Sequence, residues 1–388
     1  MIPYGKQQID QDDIAAVTEV LQSVWLTQGP KVPAFELAVS EQCQASYAVA
    51  VNSATSALHI ACLALNVGPE DIVWTSPISF VASANCALYC GAKIDFVDIT
   101  LDTGNICINA LETKLIDAQK LNQLPKVVIP VHFAGQPCDM VNLAKLAKQY
   151  GFNVIEDASH AIGAMYLDKA IGGCAFSDIC IFSFHPVKII TSGEGGMALT
   201  NQPDLARKMQ QLRSHGITSD PTELTEPSHG PWYYQQQLLG FNYRMTDIQA
   251  ALGLSQLNKL NKFVSERNQL AAFYQQHFSD NTNIQPLRVS ADCYSSYHLY
   301  VIRLPELSRN QHKACVEFLR SKGIMGHVHY IPIYLQPYYQ QLGFKAGYCA
   351  NAERYYQQAV TLPLFPGLTA EQQLFVVNEL EHFLCSLS

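Results

Sequence analysis

Apolar and polar positions alternate in a strand, helix, strand rhythm over the first half of the chain. Tyr47 to Val51 reads as a strand; a tight polar turn follows, then a helix with Leu58, Ala61, Cys62 and Leu65 on one face. "DIVWTS" is a second short strand, leading to a helix over about 79–89 and then to the strand "KIDFVD". "KVVIPVH" (126–132), "NVIED" (153–157) and "DICIFSF" (178–184) repeat the theme, with the amphipathic helix "MVNLAKLAKQYG" between the first two. Strands and helices at this spacing predict an α/β fold, a mainly parallel sheet sandwiched by helices. From about Met245 the character changes. "MTDIQAALGLSQLNKLNKFVSERNQLAAFYQQHF" predicts one long helical stretch, followed by "YHLYVIRL", the helix "QHKACVEFLRSKG" and two helices near the C-terminus. These elements predict a smaller C-terminal α+β domain, residues 256–388, beside a large domain of residues 1–255.

The totals narrow the function classes. A chain of 388 residues can bury a large core and suggests about two domains. Net charge is -8, from 25 Lys and Arg against 33 Asp and Glu, and no basic run is interleaved with aromatics, which argues against a nucleic-acid partner. The 12 cysteines form no C-x-x-C pair, and Cys62, Cys86 and Cys180 sit in apolar segments where cysteine acts as a small hydrophobe. A reduced, cytoplasmic protein without a metal centre is the expectation. "MIPYGKQQIDQDD" lacks an apolar signal core, and no run approaches the roughly 18 apolar residues that cross a bilayer, so neither export nor a membrane partner is expected.

Chemistry concentrates around "IFSFHPVKIITSGEGG", residues 181–196, which sets Lys188 at the end of an apolar run where its charge is hardest to solvate. An ammonium buried without a partner is costly, so a lysine there calls for a salt bridge or a covalent role. Ligand sites of open α/β sheets lie at the carboxyl ends of the strands, and three candidates fall at such ends. The turn Asn52-Ser53-Ala54-Thr55 offers a phosphate the N–H groups of a new helix and a threonine hydroxyl, and Ser183 can add another hydroxyl. Asp157 ends the apolar run "NVIE" and would need a cation if buried. A phosphate cradle, a buried carboxylate and a buried lysine together match pyridoxal 5'-phosphate: the lysine bonds the cofactor, the carboxylate keeps the pyridine nitrogen protonated, and the helix start holds the phosphate. Phe80 can stack on the ring face. Each piece also has a plainer role, since a strand-end aspartate is often a cap or an ion-pair partner and Phe80 is by default a core residue. The glycines of "SGEGG" signal backbone passing close to another group, or a simple hairpin turn.

At these positions the chain resembles a known family. "EDASHAIGA", "FSFHPVKIITSGEGGMALTN", "LRSHGI" and "NYRMTDIQAALGLSQL" are similar to segments of the nucleotide-sugar aminotransferases of the DegT/StrS family, fold-type I pyridoxal-phosphate enzymes, and the likeness covers essentially the whole chain. The resemblance implies Lys188 and Asp157 as the catalytic pair, with Lys188 carrying the cofactor and Asp157 facing its pyridinium. It also implies His160 near the cofactor's phenolic oxygen and Ser183, with Ala54 and Thr55, at its phosphate. Asn242 in "FNYRMTD" resembles the family asparagine that reaches the phosphate from the other subunit, which implies a homodimer with shared active sites.

Finer matches in "YGKQQI", "WLTQGP", "NSATSAL", "SPISFVASAN" and "HVHYIPIY" resemble the branch that aminates C4 of UDP-2-acetamido-2,6-dideoxy-β-L-arabino-hexos-4-ulose in pseudaminic acid biosynthesis. That likeness implies a UDP-linked 4-keto-6-deoxy sugar and L-glutamate as substrates, with Tyr4, Trp25, Leu26, Thr27, His327, His329 and Tyr330 on the sugar nucleotide. The plainer role for the rings near Pro332 is packing in the small domain. Other readings stay open: an aminotransferase for another nucleotide 4-keto or 3-keto sugar, a sugar dehydratase of the same fold, or a non-catalytic regulator that binds the cofactor. The dehydratase branch has a histidine in place of the lysine; Lys188 argues against it, although His185 lies only three residues away.

Overall fold

The computed structural model describes residues 1–387. Its central sheet has seven strands: β1 (Tyr47–Val51), β2 (Ile72–Thr75), β3 (Lys93–Phe96), β4 (Val127–Ile129), β5 (Asn153–Asp157), β6 (Ile179–Ser183) and β7 (Gly196–Thr200). They lie in the order β1-β7-β6-β5-β4-β2-β3. The neighbours from β6 through β3 run parallel, whereas β7 returns antiparallel between β6 and β1. The mainly parallel sheet read from the sequence is therefore present, with one antiparallel strand, β7, next to its β1 edge. β4 is shorter than the run "KVVIPVH" because Pro130, which has no N–H to give a ladder, follows Ile129.

Strand alternation divides the interior in two. Val49, Val127, Ile155, Ile181 and Ala198 point into one core, and Ala50, Val128, Val154, Phe182 and Leu199 into the other. Helices cover both faces. In chain order they are α1 (Gln11–Leu21), α2 (Lys31–Cys43), α3 (Ala54–Ala64), α4 (Ala82–Tyr89), α5 (Ile108–Lys120), α6 (Met140–Tyr150) and α7 (Pro203–Arg213). Phe35, Leu111 and Leu143 carry α2, α5 and α6 onto one face; Leu58, Cys86 and Met209 carry α3, α4 and α7 onto the other. The single apolar face read for α3 is too narrow. Residues 56–62 are all buried, because the helix is covered by the sheet, α4 and α7 together. α4 starts later than the sequence pattern suggests, since Ser79 and Phe80 belong to a loop at the ligand cavity.

The single long helix expected after Met245 is two, α8 (Asp247–Leu257) and α9 (Leu260–Phe278). They part at Asn258 and Lys259, where the Lys259 ammonium bonds the carboxylates of Asp10 and Asp13, each at 2.7 Å, at the start of α1. This contact lets α8 pack on α1 and α2 while α9 runs on to a third core. That core gathers Tyr274, Phe278, Ile302, Leu319, Val360 and Leu380 around an antiparallel sheet of β8 (Gln285–Pro286), β9 (Tyr300–Arg303) and β10 (Ala359–Leu362). α10 (Arg309–Ser321), α11 (Pro337–Gln341), α12 (Ala350–Gln358) and α13 (Ala370–Cys385) complete the chain.

Candidate active site

A cavity of about 500 Å³ opens at the carboxyl ends of β5 and β6 and at the start of α3. Ser53 caps α3, its Oγ accepting the N–H of Ser56 at 3.1 Å, while Ser56 Oγ donates to Asn52 Oδ1 at 2.6 Å. The next residues, Ala54 and Thr55, line the cavity at the helix end that favours anions. Gly196 of β7 presses against this turn: a Cβ there would lie 2.4 Å from the backbone N of Ala54. The glycines after Lys188 thus include one whose backbone does pass close to another group. Ser183, buried and opposite Gly196 in the β6–β7 register, lines the same wall.

Asp157 ends β5 with its carboxylate fully engaged. Oδ2 accepts from Ser83 Oγ at 2.6 Å; Oδ1 accepts from Ser159 Oγ at 2.6 Å and from the Ser159 N–H at 3.2 Å. Ser83 is itself bonded to Ser79 at 2.6 Å. These hydroxyls fix the carboxylate without neutralising it. Phe80, an aromatic ring 61% exposed, faces the cavity from the loop before α4 instead of packing in a core.

Lys188 is placed differently from the expectation of a lysine ending a buried strand. β6 stops at Ser183, and Lys188 sits in the bend beyond it, held by its N–H to the His185 carbonyl at 2.9 Å and partly accessible at the cavity. Its ammonium has no ion-pair partner among the described residues. Desolvation pushes its pKa down to about 8, against the opposing pull of the Asp157 charge. Of the two roles a strand-end lysine can have, the salt bridge is absent.

His160 is buried three residues past Asp157. The Ala134 N–H donates to its Nδ1 at 3.3 Å, which places the ring proton on Nε2, 3.3 Å from Tyr330 Oη. Burial, with the charges of Lys188 and His329, holds His160 well below the usual histidine range and therefore neutral. Behind it lies His298, whose ring centroid is 4.4 Å away. The His298 carbonyl, with those of Tyr297 and Leu364, accepts from the buried Arg267 guanidinium at 3.0 to 3.2 Å. Sequence reasoning missed His298, Ser79, Ser83 and Ser159. The serines left a signal in the Asp-x-Ser turn and in the four-residue spacing of Ser79 and Ser83 across the start of α4; His298 left none, because its contact joins distant segments.

Of the residues assigned to the sugar nucleotide, Tyr4, His327, His329 and Tyr330 converge on one wall of the cavity. The Tyr4 ring lies 5.5 Å from that of His327 and 5.0 Å from that of His329. His329 is buried, bonded through Nδ1 to Thr361 Oγ1 at 2.9 Å, and burial pushes its pKa down to about 3, helped by His327 and Lys188. Trp25, Leu26, Thr27 and Asn242 do not line this cavity. Thr27 pairs instead with Thr246 and the Asp247 N–H donates to the Leu26 carbonyl at 3.0 Å, whereas Asn242 pairs with Ser214. Asp247 also accepts the N–H groups of Gly29 and Lys31 at 2.8 Å, anchoring this N-terminal segment on α8.

A helix start for a phosphate, a hydroxyl-anchored carboxylate, an exposed aromatic face and a lysine without a counter-ion fit pyridoxal 5'-phosphate. Comparison with known proteins agrees. Residues 7–381 match the model of the DegT/DnrJ/EryC1/StrS aminotransferase family. A UDP-4-amino-4,6-dideoxy-N-acetyl-β-L-altrosamine transaminase of Campylobacter jejuni is 38% identical over 380 residues, 98% of this chain and 96% of that one. Among solved structures, the Helicobacter pylori aminotransferase PseC, involved in pseudaminic acid biosynthesis, superposes with a TM-score of 0.90 at 35% identity, covering 99% of both chains. The pyridoxal-phosphate form of a putative sugar aminotransferase from Streptococcus pneumoniae gives a TM-score of 0.90 at 29% identity, over 100% of this chain and 99% of that one.

Proposed function

The chain belongs to the DegT/DnrJ/EryC1/StrS aminotransferase family, and from that premise we propose that it transfers an amino group from L-glutamate to C4 of UDP-2-acetamido-2,6-dideoxy-β-L-arabino-hexos-4-ulose, a step of pseudaminic acid biosynthesis. It is a sugar aminotransferase that depends on pyridoxal 5'-phosphate. That cofactor, when bound, supplies the electron sink that lets an amino donor's α-carbon release its proton. We assign the movement of the proton to Lys188. Its Nζ has no ion pair among the described residues, and its lowered pKa gives a neutral fraction near neutral pH, as a base and nucleophile requires. In the second half-reaction Lys188 returns a proton to the sugar C4 from one face, which fixes the new stereocentre. Asp157, anchored by Ser83 and Ser159, would hold the proton of the ring nitrogen. Ala54, Thr55 and Ser183 would receive the phosphate, Phe80 would cover the ring, and neutral His160 would lie at its edge.

The observation that carries the sugar reading is the wall of Tyr4, His327, His329 and Tyr330. A UDP-sugar needs hydrogen-bond donors for its phosphates and flat surfaces for its base and sugar, which these rings supply. No arginine is among the described residues lining the cavity, so the wall lacks the bidentate clamp typical of a site built for two amino acids. Assaying the L-arabino 4-keto sugar against its D-xylo isomer with L-glutamate tests the proposal. Preference for the L-arabino isomer is expected, because the two present different faces to Lys188; equal or reversed preference refutes it.

The same reading makes the enzyme a homodimer with shared sites. Neither Asn242 nor residues 25–27 line their own chain's cavity, and Trp25 is 52% and Leu239 81% exposed, which suits a covered interface. We place the protein in the cytoplasm, in keeping with buried thiols such as Cys62 and Cys180 that form no disulfide. No helix among the described residues is long and apolar enough to cross a membrane.

A further inference from the structure

Glu156, the residue before Asp157 in β5, is a buried carboxylate that takes no part in the proton transfers assigned to Lys188. Side chains alternate along a strand, so Glu156 points to the face of the sheet opposite the Asp157 side chain. Its two partners are the imidazole of His132, with Nε2 2.6 Å from Oε2, and the hydroxyl of Ser177, which donates to Oε1. His132 is fully buried, and its Nδ1 accepts the Cys138 N–H at 3.0 Å, which leaves the ring proton on Nε2 to be donated to Glu156. The carboxylate thus keeps its charge, with no cation beside it among the described residues. An apolar pair of the same volume would fill this space at no greater cost, so packing alone does not account for the arrangement. What the hydrogen bonds add to packing is direction.

We propose that His132 and Glu156 are positioning residues for Asp157, fixing the direction in which its carboxylate meets the ring nitrogen of the cofactor. The link runs through the main chain of His132. Its N–H donates to the Asp157 carbonyl at 3.1 Å, and two residues earlier the Pro130 carbonyl accepts the Asp157 N–H at 2.9 Å. Both backbone groups of Asp157 are therefore held by residues 130–132, and the His132 side chain pins that segment to the residue next to Asp157. The regular ladder does not supply this hold, because β4 ends at Ile129 and only the bridge from Val131 continues the pairing to Asp157. The same stretch serves the site directly: Val131 lines the cavity, and the Ala134 N–H holds His160 at 3.3 Å. Ser83 and Ser159, which line the cavity, fix the two carboxylate oxygens, whereas His132 and Glu156 fix the backbone that carries them. This role rests on Asp157 being the partner of the ring nitrogen.

Two variants cut the link from opposite ends. In His132→Asn the shorter side chain keeps an acceptor for the Cys138 N–H but falls short of Glu156; Glu156→Leu fills the space and removes the acceptor. Each is compared with the wild type, alone and combined with Asp157→Asn. The readouts are single-turnover amino transfer from L-glutamate and the nitrogen NMR resonance of isotope-labelled pyridoxal 5'-phosphate bound to the enzyme. Either folded variant should slow the transfer about 10-fold at unchanged glutamate affinity, and move the ring-nitrogen resonance from the pyridinium position toward that of the unprotonated ring. In the Asp157→Asn background neither should cause a further loss, and His132→Gln, long enough to reach Glu156, should recover most of the rate. A folded variant with the wild-type rate and resonance, or an equal loss with and without the Asp157 carboxylate, overturns the proposal. If Asp157→Asn alone leaves rate and resonance unchanged, the role of Asp157 at the ring nitrogen fails, and the positioning role falls with it.

Discussion

Burial and charge pull Lys188 in opposite directions. Desolvation favours the neutral amine, the Asp157 carboxylate favours the ammonium, and desolvation prevails, leaving the pKa at about 8. Because only the neutral amine attacks the cofactor's aldehyde, capture of pyridoxal 5'-phosphate by the cofactor-free enzyme should speed up as pH rises through about 8 and then level off. Asp157→Asn removes the charge that favours the ammonium, so the midpoint should fall below that of the wild type. Stopped-flow absorbance across a pH series measures both, and an unchanged or raised midpoint in the variant contradicts this coupling. The sequence identified the two partners because each stands at the end of an apolar run, where a charge is conspicuous. It could not show how Asp157 is held, since Ser83 reaches it across 74 positions of chain and His298 meets His160 only through the tertiary fold.

Elements bring these residues together, and their most exacting contact is the one between β7 and the start of α3. A methyl group at Gly196 would lie 2.4 Å from the Ala54 backbone N and could be relieved only by moving the cradle itself. Gly193 differs: its φ is +80°, but nothing lies within 4 Å of a Cβ there. Gly193→Ala should therefore cost only the strain of left-handed backbone, about 1 kcal/mol, and leave cofactor affinity intact. Gly196→Ala should cost up to about 3 kcal/mol and weaken cofactor binding as well. Thermal unfolding and cofactor titration of the two variants check this contrast; equal behaviour would mean that β7 does not shape the cradle. β1 to β6 were legible as apolar runs of strand length. β7 was not, because it opens on the glycines that the cradle demands. The break between α8 and α9 was likewise hidden: no Pro or Gly marks Asn258 and Lys259, and the carboxylates that fix the turn come from residues 10 and 13.

At the scale of the whole molecule, the reading requires each site to be built from two chains. A Lys188→Ala chain mixed with an Asn242→Ala chain should give heterodimers in which one site carries neither lesion. With random exchange that is about a quarter of all sites, so about a quarter of wild-type activity should return if each parent is inactive. Heterodimers that form without recovery, when Asn242→Ala alone is impaired, would place Asn242 in its own chain's site. The account as a whole turns on Lys188 as the residue that carries the cofactor, and borohydride tests this most directly. Reduction of the cofactor-loaded enzyme fixes the cofactor to its lysine as a stable secondary amine, which digestion and mass spectrometry then locate. The account predicts the pyridoxyl group on Lys188 and no labelled peptide from Lys188→Ala; a pyridoxyl group on any other lysine in the wild type contradicts it.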